Sequence, residues 1–495
     1  MVAGSVLKAR LEEAKTPLLV VFTHEDGDSA EFRRIDKALK GQLSELKKNK
    51  EFEGKAMTLS LLRTPSSPFK RVLLVGLGKK KELSLEMLRR GAGVAVKAAR
   101  EQAPEIAIPV SHDRGGLKRL DAVAQAIAEG VILGGYRFLK YKTQDVESLK
   151  QLKSFTLLVE EKAQAKPAQR GLEKGAILSD SVNYARDLVN TPAADMSPAA
   201  LEEESRRLAK RHNLKLTVFD AAELKRRGMG AILSVGKGSA VLPRMIILEY
   251  RRPGAKKHLV LCGKGVCYDS GGYNIKTTML ELMKDDMGGA AALLGTLDAL
   301  ATMKTKAHVT VILGAVENLI SGSAYKTGDV VKASNGKTIE VLNTDAEGRV
   351  VLADCLSHAS AIKDADMILD IATLTGAAKV ALGTVGGVLT PNDRLAKALI
   401  EAGEETGDRA WRLPLWEEHK EDIKSDIADM KNIGYPMTAG ASAGAVFLQE
   451  FVAKPELWAH IDIGGAVYDD RERPYLPKGA TGWGVRLLTR FVELQ

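Results

Sequence analysis

The stretch NTDAEGRVVLAD, Asn343–Asp354, sets two acids and an arginine directly before an apolar run. Val350, Val351, Leu352 and Ala353 open a pattern of apolar residues at helical spacing, which predicts a helix beginning near Gly348. Thr344 followed three residues later by Glu347 fits a capping box, in which the two side chains satisfy free N–H groups of the first turn. A cap needs one carboxylate, and here there are two. If the stretch is extended, its period of two puts Asp345 and Glu347 on one side and Ala346 on the other. Two acids on one side repel unless a cation lies between them, so the rest of the chain has to be searched for acids that converge there.

Length and composition bound that search. A chain of 495 residues exceeds one ordinary core and implies two domains, or three. Hydrophobic content of 45% and charged content of 27% are those of a soluble globular enzyme. No apolar stretch reaches the length of a membrane span. The start, MVAGSVLKARLEEAK, has acids where a signal peptide would be apolar, so export by that route is not expected. Cys262, Cys267 and Cys355 have no zinc spacing and are too few for a disulfide framework, which suits the cytoplasm. The net charge of +9 reads as a solvated basic surface before it reads as a nucleic-acid site. Only 5% of residues are aromatic, which argues against stacking platforms for single strands.

Texture divides the chain into two α/β regions. In the first, PLLVVF, AMTLSLL, RVLLVGLG and SFTLLVE read as strands, and SAEFRRIDKALKGQLSELKK and LEMLRRGAGVAVKAAREQ as helices. A helical pattern over Gly171–Asn190 leads to NTPAADMSP, where Pro192 and Pro198 break it. Strands of the second region are LKLTVF, RMIILEY, HLVLCG, HVTVILGAV, ADMILDIATL and AHIDIGG.

Acids collect in this second region. HLVLCGKGVCYDSGG reads as a strand and then a glycine-rich turn holding Lys264 and Asp269, with Lys276 beyond. Asp285 and Asp286 precede an alanine- and glycine-rich helix. Each acid has a local explanation as a turn residue or a cap. Together they form an oxygen-rich constellation that suits hard or borderline divalent metals, two of which can share a water and stabilise an oxyanion. VGLGKKK (Val75–Lys81) and VGKGS (Val235–Ser239) match neither a P-loop nor a dinucleotide fingerprint and read as turns. Ser270 is in no G-x-S-x-G elbow, and no H-E-x-x-H occurs. His258, His308 and His460 lie in strand patterns and read as packed core residues.

GKGVCYDSGGYNIK, MKDDMGGAAALLGT and NTDAEGRVVLAD resemble the signature segments of the leucyl aminopeptidases, the cytosol aminopeptidase or M17 peptidase family. ARDLVNTPAADMSP, DIATLTGA and WAHIDIGGAVYDDRERPYLPKGATGWGV extend the resemblance from about residue 184 to the end. It implies a smaller N-terminal α/β domain over 1–165, macro-like as in the family, and a connecting helix over 166–190. Over 191–495 it implies a larger α/β catalytic domain with a mixed central sheet flanked by helices. Lys264, Asp269, Asp286, Asp345 and Glu347 match the family's ligands for two divalent ions, manganese or zinc, with Asp269 and Glu347 bridging. Lys276 and Arg349 match its catalytic residues, Arg349 holding a bicarbonate that acts as general base. Met283, Thr373, Leu374 and Gly376 match the pocket for the substrate's first side chain. Implied partners are peptides with a free N-terminus and five further copies in a homohexamer, with no membrane. A DNA-binding or scaffold role is the alternative within the same family; the basic excess permits it without favouring it. The segment from Lys276 to Asp286 is at least one residue shorter than the family's commonest form, and Cys267 stands where a threonine is usual.

Overall fold

The computed structural model describes residues 2–110, 117, 119–146, 149–435 and 437–495. The chain forms two compact units, one of residues 1–183 and 471–478, the other of residues 184–470 and 479–495.

In the first unit, six strands lie in the order β1-β6-β5-β2-β4-β3: β1 (Ala3–Lys8), β2 (Leu19–Thr23), β3 (Leu59–Arg63), β4 (Arg71–Gly76), β5 (Glu105–Pro109) and β6 (Ser154–Val159). All pair in parallel except β3 on the edge, which runs antiparallel to β4. Helices α1 (Ala30–Ala38), α2 (Gln42–Lys48), α3 (Leu85–Ala99) and α4 (Leu120–Gly135) cover the sheet. The expected single helix over 29–48 is two, because the backbone turns left-handed at Lys40 and Gly41, and Gly41 adopts φ 90° without steric cost. β1 and β5 were not foreseen: β1 is largely exposed and has no alternation of apolar residues to mark it.

Helix α5 (Lys162–Asn190) starts nine residues before the pattern read from Gly171. The second unit follows with α6 (Pro198–His212), β7 (Lys215–Phe219), α7 (Ala221–Arg226), α8 (Gly230–Gly236), β8 (Arg244–Arg251), β9 (His258–Asp269), α9 (Gly288–Thr302) and β10 (His308–Asn318). Beyond these lie β11 (Val330–Lys332), β12 (Thr338–Glu340), α10 (Glu347–Ser360), β13 (Met367–Ala372), α11 (Gly376–Leu382), β14 (Gly386–Leu389) and α12 (Asp393–Thr406). The last elements used below are β15 (Ala410–Arg412), β16 (Met430–Lys431), α13 (Gly440–Gln449), β17 (Trp458–Asp462) and α14 (Val485–Glu493). The main sheet has the order β15-β14-β17-β13-β9-β10-β8-β7. Its centre, β17-β13-β9-β10, is parallel, and β7, β8 and β14 make it mixed. β11, β12 and β16 form a small separate sheet.

The central strand β9 is longer than expected. The sequence placed a turn after Gly263, yet the strand runs on to Asp269. The glycines are there for packing: a Cβ on Gly263 would stand 2.9 Å from Leu313 and 3.0 Å from Leu293. Lys264 is therefore a buried strand residue, not a turn residue. Helix α10 is buried on nearly every side, with Val350, Val351, Leu352, Ala353, Cys355 and Leu356 in the core between the sheet and α13. Burial of each larger side chain contributes about 1.5–3 kcal/mol, which fixes the helix firmly. Asp354 adds a polar anchor, accepting from Ile232 N at 2.9 Å and Ser334 N at 2.7 Å. No helix among the described residues is long and apolar enough to cross a membrane.

Candidate metal centre

A rigid strand end and a rigid helix start bring the acids together. β9 carries Lys264 in its interior and Asp269 as its last residue. Asp286 lies in a 3-10 turn, Leu280–Met287, that runs directly into α9. Asp345 precedes α10, and Glu347 is the first residue of that helix. Carboxylate oxygens of Asp269, Asp345 and Glu347 lie within 4.8 Å of one another. Lys264 Nζ stands 2.7 Å from Asp286 Oδ1 and 2.9 Å from Glu347 Oε1. Lys276, on the loop after β9, is 2.9 Å from Asp269 Oδ2 and also contacts Asp345. Lys264, Asp269, Asp286 and Glu347 are buried, whereas Asp345 and Lys276 are half-buried.

The electrostatics show a cluster short of positive charge. Burial pushes Asp269 up to about 7, Glu347 adds to the rise, and Lys276 and Lys264 oppose it. Burial also drives Asp286 well up against the pull of Lys264, and raises Asp345 against that of Lys276. Glu347 is the exception: burial pushes it upward, but Lys264, Lys276 and a backbone N–H together outweigh burial and hold its carboxyl below the usual range. For Lys264 burial works downward, and Asp286, Glu347 and Asp269 together hold its ammonium above the ordinary lysine range. Four carboxylates face two ammonium groups, and Asp286 Oδ2 and Glu347 Oε2 have no hydrogen-bond partner among the described residues. Buried oxygens of this kind, with negative charge in excess, are what divalent cations bind.

Two features of the opening stretch serve purposes other than those expected. The capping box does not form: α10 has no side-chain cap. Thr344 is fully buried, and its hydroxyl donates to Gly271 O at 2.6 Å and accepts from Asn274 N at 2.8 Å. It ties the Asp345 loop to the Asp269 loop instead of closing the helix. Gly348 lies inside the helix, where a Cβ would stand 2.4 Å from Lys264 Cε, so the residue is small to let Lys264 pass.

Asn318 is a residue of this cluster that the sequence reading does not single out. It ends β10 and is fully buried, and its Nδ2 donates to Asp269 Oδ1 at 2.8 Å and to Thr344 O at 2.9 Å. The one amide orients a candidate ligand and the loop that carries another. Asn318→Ala is expected to weaken divalent-metal affinity about 10- to 100-fold with the fold retained, the usual cost of an outer-shell partner. Metal titration followed by calorimetry checks this, and unchanged affinity would show that the amide only fills space.

Arg349, Leu374 and Gly376 lie beside this cluster. A cavity of about 570 Å³ is lined by Asp345, Arg349, Leu374 and Gly376 together with residues 433–435 and 437–440. Met283 and Thr373 are not among its lining. Thr373 instead donates to Asp286 Oδ1 at 2.6 Å, and its carbonyl accepts from Lys264 Nζ at 2.9 Å. Asp462 holds the wall in place, accepting from Leu374 N at 3.2 Å and from the Thr375 hydroxyl at 2.7 Å.

The histidines lie elsewhere. His258 and His308 stack with centroids 3.5 Å apart and planes 6° from parallel. Stacked in-plane lone pairs run side by side and do not meet at one ion, so the grouping of these rings with Asp364 is a poor chelate. His460 is fully buried, with Nδ1 2.6 Å from Asp370 Oδ1.

Known proteins are similar to this chain along nearly its whole length. Residues 183–489 match the model of the cytosol aminopeptidase family catalytic domain, and residues 20–145 match that of the family's N-terminal domain. The protein named "Probable cytosol aminopeptidase" of Geobacter sp. (strain M21) is 44% identical over 97% of this chain and 97% of its own. Its namesake in Aquifex aeolicus (strain VF5) is 38% identical over 98% and 97%. Among solved structures, a variant of tomato leucine aminopeptidase superposes with a TM-score of 0.89 at 35% identity, over 100% of this chain and 97% of the other. The bottromycin maturation enzyme BotP in complex with Mn superposes with a TM-score of 0.86 at 32% identity, over 97% and 99%. In both of its domains and along nearly its whole length, the chain belongs to the cytosol aminopeptidase family of metal-dependent aminopeptidases.

Proposed function

We propose that the chain is a two-metal leucyl aminopeptidase of the cytoplasm, assembled as a hexamer, that releases leucine-like N-terminal residues from peptides. The observation that carries this is the largely buried convergence of Asp269, Asp286, Asp345 and Glu347 around Lys264 and Lys276, with oxygens left unpartnered. Those five residues would hold two divalent ions, manganese or zinc. The ions supply Lewis acidity to a water and to the scissile carbonyl, and a coordination position for the free amine.

The chain's own residues do the rest. Lys276 sits at the half-exposed edge of the cluster, where its ammonium meets charge developing on a carbonyl oxygen. Arg349 is in the first turn of α10 on the cavity wall and holds a small anion, bicarbonate, as general base. The acids are committed to cations, so the proton acceptor has to come from outside the four carboxylates. Leu374 and Gly376 form an apolar wall for the first side chain, and Thr373 precedes that wall and holds Asp286; Met283 is assigned to the same pocket by resemblance alone.

Hydrolysis of a leucine anilide by the purified protein tests this. Activity is expected to vanish on chelation and to return with added manganese or zinc. Full activity of a protein shown by elemental analysis to carry no transition metal would overturn it.

A further inference from the structure

The cavity beside Arg349 is larger than one leucine side chain needs, and its outer walls are apolar without serving the core. One wall is α11, whose exposed face presents Ala377, Val380 and Ala381, at i, i+3 and i+4. Val380 is 90% exposed. The facing wall precedes α13 and carries Tyr435, 58% exposed, and Met437, 103% exposed. Met437 has φ 63° and Ala439 φ 33°, so two residues other than glycine hold left-handed conformations on this wall. Such conformations persist where the surroundings impose them, and they cluster at ligand clamps.

We propose that Val380, Tyr435 and Met437 form a subsite for an apolar side chain at the third position of the peptide. The inference rests on the peptidase function above and names part of its substrate class. An extended peptide advances about 3.4 Å per residue and alternates its side chains, so residues one and three point the same way about 7 Å apart. Helix α11 rises about 6 Å from Gly376, at the first-residue wall, to Val380. The third side chain therefore arrives at Val380, and the second points away from that wall. The cavity is continuous with Asp345 and Arg349, so a peptide held at the metal centre has its remaining length directed along these two walls. Met437 is unbranched and adapts its shape to the side chain it meets.

The test compares Leu-Gly-Gly, Leu-Gly-Leu and Leu-Leu-Gly in the metal-loaded enzyme and in the doubly substituted Val380→Ser, Met437→Ser protein. Wild type is expected to favour Leu-Gly-Leu over Leu-Gly-Gly about 10-fold or more in kcat/KM, chiefly through KM, within the range for filling an apolar pocket. In the double variant that ratio is expected to fall to near one. Equal rates for the two peptides in wild type would overturn the subsite, as would a ratio unchanged by the substitutions. A preference for Leu-Leu-Gly in place of Leu-Gly-Leu would overturn it too, since the second residue would then occupy these walls. Leucine anilide has no third residue, so its hydrolysis by wild type tests the peptidase function separately. An enzyme active on the anilide but indifferent to the third residue refutes only the subsite.

Discussion

Glu347→Ala is expected to lower kcat/KM for peptide hydrolysis by about a thousandfold or more, which is about 4 kcal/mol of transition-state stabilisation. Metal Lewis acidity supplies several kcal/mol of that kind, and it fails when a central ligand is removed. Glu347 is 1% exposed and is the first residue of a helix buried on nearly every side, so no neighbouring acid can move into its place. Stability separates loss of metal from loss of fold. The metal-free variant is expected to stay folded, because α10 keeps its apolar packing and Lys264 keeps Asp286 as a partner at 2.7 Å, with its melting point lowered only by loss of the Lys264–Glu347 pair. Only wild type is expected to gain stability from metal, by about 2.7 kcal/mol per site at a hundredfold excess over Kd. A Glu347→Ala protein that stays active, or that is stabilised by metal as wild type is, would show that the ions are held elsewhere.

A ligand role for Lys264, as proposed, would give this centre a pH dependence of defined sign. Without metal, its ammonium is held above the ordinary range by Asp286, Glu347 and Asp269, against burial. An ammonium cannot coordinate, so a metal that takes Lys264 as ligand must displace a proton, and affinity rises as pH rises.

Much of this was legible from the residues, for identifiable reasons. Six of the eight strands of the second sheet are legible because each is a β-branched or leucine-rich run bounded by polar residues, as RMIILEY and HVTVILGAV are, whereas β14 and β15, of four and three residues, are too short to show one. Asp345 and Glu347 were found because two acids on one side of a short stretch are hard to explain without a cation. Lys264 had no such signal, since lysine spacing says nothing of coordination, and its place came from resemblance alone. Gly263 and Gly265 misled because a glycine marks a turn and a close approach equally well in one dimension. Thr344 misled because a cap and a loop tie use the same hydroxyl, and the partner, Asn274, lies 70 residues away. Asn318 closes a mainly apolar strand as an unremarkable polar residue; only the fold places its amide against Asp269.

Arg349→Lys is expected to lower kcat by about tenfold to a thousandfold, short of the full hundredfold to ten-thousandfold contribution of a positioned general base because lysine keeps the charge. KM should change little, because the substrate's amine and carbonyl still meet the metal centre. The guanidinium is buried at 7% exposure, it makes no ion pair among the described residues, and its Nε has no hydrogen-bond partner. That isolation bears on the alternative, that Arg349 pairs with a nearby acid to steady the start of α10. Glu347 and Asp462 act on it only through the field, and burial dominates, pulling its pKa below the usual arginine range. A cation desolvated without a partner is costly to the fold, and a planar anion in the adjoining cavity would relieve that cost through two parallel N–H bonds. Lysine keeps the charge but presents a point where the planar fork was, so it holds such an anion poorly. In buffer stripped of carbon dioxide, added bicarbonate should therefore stimulate wild type more than the variant. The structural alternative predicts the reverse pattern, a lowered melting temperature with kcat largely intact. Melting temperature and bicarbonate-dependent kcat measured on the same variant decide between them, and a stable, fully active, bicarbonate-insensitive Arg349→Lys enzyme would rule out the anion-holding role.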